Sequence, residues 1–227
     1  MGLLVPLFII AAVAIVVVGF YMSAQRRKEL SAWAVTNGLS FSSGNDRGME
    51  NRFSDFDCLR QGHSRYAYNV MSGMWTEPGD EARFSVCAFD YHYETGSGKN
   101  HHTYTFSAVV VASPIPLRPL FIRPEGFFDK VSEFFGADDI DFESAEFSRE
   151  FYVKSPDKRW AYDVIHQRMM EFLMGEPRFH IQFSTRHIMA WRSSTFSAAE
   201  FGSAVRLIRG MLERMPGYVV RQQTEGG

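Results

Sequence analysis

Leu3–Met22, LLVPLFIIAAVAIVVVGFYM, is twenty residues without a charge, and it constrains everything that follows it. A hydrocarbon core about 30 Å thick is spanned by about twenty apolar helical residues. Thirteen of the twenty are Leu, Ile, Val or Phe, each worth roughly −0.3 to −0.6 kcal/mol near a bilayer centre. Pro6 falls in the first turn, where a missing N–H costs little. The stretch predicts a transmembrane helix, with Leu3, Phe8, Ile15, Val18 and Phe20 facing lipid and Tyr21 at the interface. A cleaved signal peptide would have a basic n-region, a shorter apolar run and a small-residue cleavage site. Here no Lys or Arg precedes the run, and bulky Phe20, Tyr21 and Met22 stand before the small pair Ser23-Ala24.

The flanks predict orientation. Arg26, Arg27 and Lys28 follow the run and none precedes it, so the N-terminus is expected outside the inner membrane and the body in the cytoplasm. The three cations are also the expected contacts to anionic headgroups. The formal charge of the chain is −2, and it is more negative without those three. That balance excludes a nucleic-acid domain, which carries a basic face. Cys58 and Cys87 are too few for a disulfide scaffold, and a cytoplasmic domain would not pair them.

Four segments are expected: an anchor over 1–24, a juxtamembrane helix over 25–38, a domain over 39–221 and a polar tail over 222–227. Leu39–Ser42 reads as a strand, 44–62 as mostly loop with one helical turn, and Tyr66–Trp75 as a strand that ends before the turn Glu77-Pro78-Gly79-Asp80. Ala82–Glu94 alternates, with Phe84, Val86 and Ala88 on one face and Cys87, Phe89, Tyr91 and Tyr93 on the other. Thr95–Asn100 then returns the chain into His101–Ala112, a long hairpin. Leu120–Arg123 and Phe147–Lys154 read as strands, and Phe179–Ser184 with Ile188–Arg192 as a second hairpin. Helices are expected over Gly126–Phe135, from Ser155 to Met174, and from Ser197 until Pro216-Gly217. Ser197 and Glu200 make a capping box in the last of these, with a Phe196–Phe201 staple. Strands arriving as hairpins give an α+β fold: a transmembrane helix, then a mainly antiparallel sheet covered by about three helices.

Three groups of residues bear on chemistry. A symmetric hairpin would set His92 opposite His102, with a carboxylate from Asp90 or Glu94 nearby, as weak candidates for a metal site. The acids Asp138, Asp139, Asp141, Glu143 and Glu146 are dense but lack calcium-loop spacing, and read as an edge strand with a solvated face. Neither a nucleophile elbow nor a phosphate loop is present, since no helix start follows Gly96-Ser97-Gly98. No cofactor is expected.

FDYHY (Phe89–Tyr93), LFIRPE (Leu120–Glu125), DIDFESAEF (Asp139–Phe147), AYD (Ala161–Asp163) and Met169-Met170 resemble an uncharacterised family of bacterial membrane-anchored proteins. Members carry a cytoplasm-facing or surface domain of unknown function, and the resemblance implies no active site. The expected role is a single-pass anchor carrying a cytoplasmic domain that binds a protein partner, in the membrane or the cytoplasm, or the inner membrane surface. The alternative is a tethered metal-dependent or hydrolytic enzyme at the His92/His102 hairpin or the acidic loop 138–146.

Overall fold

The computed structural model describes residues 4–76, 83–126 and 140–225, with the side chains of 4–7 and 9–12 outside that description. The turn at Glu77-Pro78-Gly79-Asp80, nearly all of the helix expected at Gly126–Phe135, and Asp138 and Asp139 lie outside the described residues, as does Leu3.

Among the described residues eight strands form one antiparallel sheet, confirming the α+β reading. They are β1 (Leu39–Ser42), β2 (His63–Trp75), β3 (Phe84–Thr95), β4 (His102–Ala112), β5 (Leu120–Pro124), β6 (Phe151–Lys154), β7 (His180–Phe183) and β8 (His187–Arg192). Their order across the sheet is β1-β2-β3-β4-β8-β7-β5-β6. The first four strands are consecutive neighbours. The second hairpin, β7–β8, then inserts between β4 and β5, so β4 pairs with β8.

Helix α1 runs unbroken over Leu4–Thr36, joining the expected anchor and juxtamembrane segments without a boundary. Among the described residues no helix is long and apolar enough to cross a membrane. Leu30 and Ala34 are buried against the sheet, whereas Phe8, Ile15, Val18, Phe20 and Tyr21 are exposed, Phe8 at 76% and Phe20 at 74%. Gly38 (φ +71°) ends the helix and turns the chain into β1.

The alternation of β3 is as read. Val86 and Ala88 enter the larger core, beneath α1 and the helices α4 (Lys158–Val164), α5 (Gln167–Gly175), α6 (Ala198–Glu213) and α7 (Gly217–Glu225). Cys87, Phe89 and Tyr91 enter a second core on the opposite face. That face is closed by the stretch expected to be mostly loop. Its short helix α2 (Met49–Arg52) and a 3-10 turn at Asp57–Arg60 bury Met49, Phe53, Phe56, Cys58 and Leu59. The apolar residues there are spaced too irregularly to show a helical period, but they face one way. Cys58 and Cys87 both pack in this core and form no disulfide.

Other boundaries differ. Residues 145–150 are helical (α3, Ala145–Glu150), because Ser144 accepts a hydrogen bond from Phe147 N and caps them, so β6 begins only at Phe151. Asp141 and Glu143, before α3, are not in an edge strand: Ile140 and Phe142 turn inward, and Ile140 N donates to Val153 O. The helix expected from Ser155 starts instead at Asp157, whose carboxylate accepts from Trp160 N. Ser155 Oγ is diverted to Pro119 O. The same helix breaks at Ile165, which leaves helical geometry at ψ 55°, and resumes as α5. α6 stops at Glu213, ahead of Pro216-Gly217 as expected, but a further helix, α7, follows, buries Val219 and takes the expected polar tail to Glu225.

The capping box of α6 is present in full, and the Phe196 and Phe201 rings meet edge to face at 5.2 Å. Ser197→Ala is expected to cost about 1 kcal/mol, read as a lower denaturation midpoint at unchanged cooperativity.

Candidate functional site

The continuous β3–β4 register fixes which polar residues of the sheet share a face. Val86 pairs with Val111 and each step follows in turn to Thr95 opposite His102. Asp90, His92 and Glu94 therefore continue the face of Val86 and Ala88, past the apolar core. His92 lies opposite Thr105, not His102. His102 belongs to the other face, with Tyr91 and Tyr93. The turn is six residues, 96–101, with a 3-10 turn at Gly98–Asn100 inside it, and it sets Thr95 opposite His102, so the expected pairing of His92 with His102 and Asp90 fails. Among the described residues no three or more His, Cys, Asp or Glu side chains are grouped so as to hold a metal ion.

Asp90 is fully buried and fully occupied. Its Oδ2 accepts from Arg26 Nη1 at 2.6 Å and Asn69 Nδ2 at 2.8 Å. Its Oδ1 accepts from Arg26 Nη2 at 2.9 Å and Ser107 Oγ at 2.5 Å. A carboxylate offers about four acceptor positions, so nothing remains for a metal or for a substrate proton. Arg26 reaches on to Phe196 O through Nε and Nη2, at 3.2 and 2.7 Å. Ser107 Oγ accepts from Phe196 N at 2.8 Å. One network thus ties α1, β2, β3, β4 and the approach to α6. Burial by itself would lower the Arg26 pKa; the hydrogen bond and charge of Asp90 more than offset it, leaving Arg26 above the ordinary arginine value. Tyr68, half-buried on the same face, is pushed up to about 12 by burial and then by the Asp90 charge.

Arg26, expected to touch headgroups, is turned into the protein instead. Arg27 and Lys28 remain exposed. Asp141 and Glu143 flank the inward-turned Phe142, and Glu146 sits in the first turn of α3.

Further along the stripe, Tyr66 stacks on His92 with centroids 4.5 Å apart. Glu94 gathers His63, His92 and His101. Its carboxyl is held down to about 2, by a hydrogen bond from Ser64 first and then from His101 and His92. Two register shifts in β2 deliver these partners, between His63 and Tyr66 and between Tyr68 and Met71. At each a non-glycine residue takes positive φ, Ser64 at 55° and Asn69 at 49°. Each shift supplies one β3 carboxylate with a β2 donor, which regular pairing would point elsewhere.

Sequence reading missed Arg26–Asp90, and of the Glu94 cluster it singled out only Glu94 and His92, as metal ligands. Sixty-four residues separate the first pair, and neither bulge carries a glycine to announce it.

No family model and no curated protein sequence matches the chain. A solved structure, that of the mycobacterial trehalose monomycolate transport factor A, TtfA, is similar in fold, with a TM-score of 0.60 at 12% identity over 83% of this chain and 93% of that one. At that identity the likeness concerns architecture alone.

Proposed function

We propose that the chain is a single-pass membrane protein whose cytoplasmic α+β domain binds a protein partner, in a role associated with transport and without chemistry of its own. The observation that carries the reading is α1. Its second half is fastened to the sheet by Leu30, Ala34 and Arg26, while Phe8, Ile15, Val18, Phe20 and Tyr21 lie open to solvent around the first half. Large side chains exposed on all sides of one helix are stable in lipid and costly in water. The uncharged run Leu3–Met22 supports the same reading from sequence; Leu3 and the side chains of 4–7 and 9–12 belong to that run and lie outside the described residues, among which no membrane-crossing helix is found. The saturated Asp90 network supports a binding domain over an enzyme, because it fastens elements and offers no free nucleophile or base. The TtfA likeness supports a transport setting by analogy of fold.

Orientation rests on Arg27 and Lys28, with Arg26 contributing its charge from within an ion pair. The body of the chain faces the cytoplasm in this reading. Full-length protein is expected to remain in the membrane pellet after alkaline carbonate washing, and a cytoplasm-dependent reporter fused after Gly227 is expected to be active. Release of intact protein into the wash overturns the anchor. A silent but well-expressed fusion overturns the orientation.

A further inference from the structure

The register puts the front half of α1 and the β3–β4 turn at the same end of the sheet. Gly38 turns α1 back into β1, which runs from opposite Gly73 to opposite Val70. The chain keeps that direction as far as Asp46, which bridges Ala67. Along β2 the same direction leads to Tyr66 and His63, which pair with His92 and Glu94 beside the turn. β1 therefore runs toward the β3–β4 turn, and α1, which precedes it, comes from there. The side chains of α1 agree. Leu30 and Ala34 enter the core with Val86 and Ala88, whereas Arg26, nearer the front, meets Asp90, nearer the turn.

Helix α1 is unbroken, so the two ends cannot drift apart. From Asp90 to Thr95, β3 advances about 17 Å, and about 12 Å of that lies along the helix even if the two cross at about 45°. From Arg26 to Tyr21 the helix advances about 8 Å. The turn thus draws level with Tyr21 or passes it. Tyr21 is the last aromatic of the uncharged run and the residue placed at the interface. At this level a groove of about 550 Å³ lies between Tyr21–Glu29 and Thr195–Glu200, which leaves room for headgroups beside the helix.

The tip has the composition of an interface. Tyr93 stacks on Tyr104 with centroids 4.9 Å apart, Tyr66 stacks on His92, and Tyr104 is 44% exposed. Tyrosine concentrates where headgroups meet water. Thr95–Thr105 contains no acid, and Lys99, His101 and His102 are exposed there. A basic side chain at that depth is drawn to anionic lipid. The opposite end of the sheet is remote: β4 runs from His102 to Ala112, about 33 Å.

We propose that the β3–β4 turn rests in the headgroup layer of the bilayer that α1 enters. The domain then meets the membrane at two points, the helix and the hairpin tip, and turns its β7–β8 end to the water. This inference rests on the anchor reading above.

Fluorescence quenching in vesicles of phosphatidylcholine and phosphatidylglycerol tests it, with full-length protein carrying an environment-sensitive dye on one introduced thiol. Ser97→Cys reports the tip, Met22→Cys the end of the anchor and Thr185→Cys the remote β7–β8 turn. Cys58 and Cys87 are buried, so the introduced thiol takes the dye. With a nitroxide on the lipid headgroup, the dye at position 97 is expected to lose as large a share of its emission as the dye at 22. With the nitroxide at mid-chain it is expected to lose less, and the dye at 185 is expected to keep its emission with both. Quenching at 22 without quenching at 97, equal quenching at 97 and 185, or stronger quenching at 97 from mid-chain overturns the tip contact and leaves the anchor standing. No quenching at any of the three positions overturns both readings.

Discussion

Asp90→Ala is expected to destabilise the fold by about 3 kcal/mol, read as a fall in the denaturation midpoint of the solubilised protein. Removing one partner of a buried ion pair typically costs about 3–5 kcal/mol, because the other charge is left uncompensated. The lower end applies, since the Arg26 side chain keeps 27% exposure and can regain some water. Asn69 Nδ2 and Ser107 Oγ lose their acceptor in the same step. The pair itself is worth less than its removal suggests. Replacing both members, Arg26→Met with Asp90→Leu, is expected to recover much of the loss, as hydrophobic substitutes for buried ion pairs do. A single variant of wild-type stability would mean that the network does not hold α1 to the sheet.

Phe196→Ala is expected to cost about 3–5 kcal/mol, the usual range for a fully buried aromatic truncated to a methyl group. Phe196 is 0% exposed and packs edge to face on Phe179 at 5.4 Å and on Phe201 at 5.2 Å. Its main chain, which bonds Arg26 and Ser107, is untouched by the substitution. The cavity therefore opens between the α6 staple and β7 while the polar network stays joined. Combined with Asp90→Ala, the two losses are expected to depart from simple addition, because both act on the same junction. Equilibrium denaturation of the two single variants and the double variant measures that coupling.

What was legible in the sequence was what repeats or what sits close along the chain. β3 alternates over a dozen residues, and its two faces lie where its period of two puts them. Ser197 and Glu200 are three residues apart, and their reciprocal bonds form. Signals failed where one turn decided a register. The six-residue turn 96–101, with its 3-10 turn at Gly98–Asn100, put His92 and His102 on opposite faces, and no composition rule counts residues inside such a turn. They failed again where a polar residue had a distant competitor, as when Ser155 was drawn to Pro119 and left Asp157 to start α4. Arg26 shows the limit most plainly. Among Arg26, Arg27 and Lys28 the sequence marks none as different, yet only the first stands over the buried Asp90.

Helix α1 passes from its solvent-open half into the domain without a flexible joint. A helix advances about 100° per residue, so one residue added or removed between Met22 and Arg26 would swing every side chain of the front half about a quarter-turn relative to the sheet. Whatever surrounds Phe8 to Tyr21 is thus geared to the domain: torque or tilt applied at one end arrives at β3 through the guanidinium of Arg26.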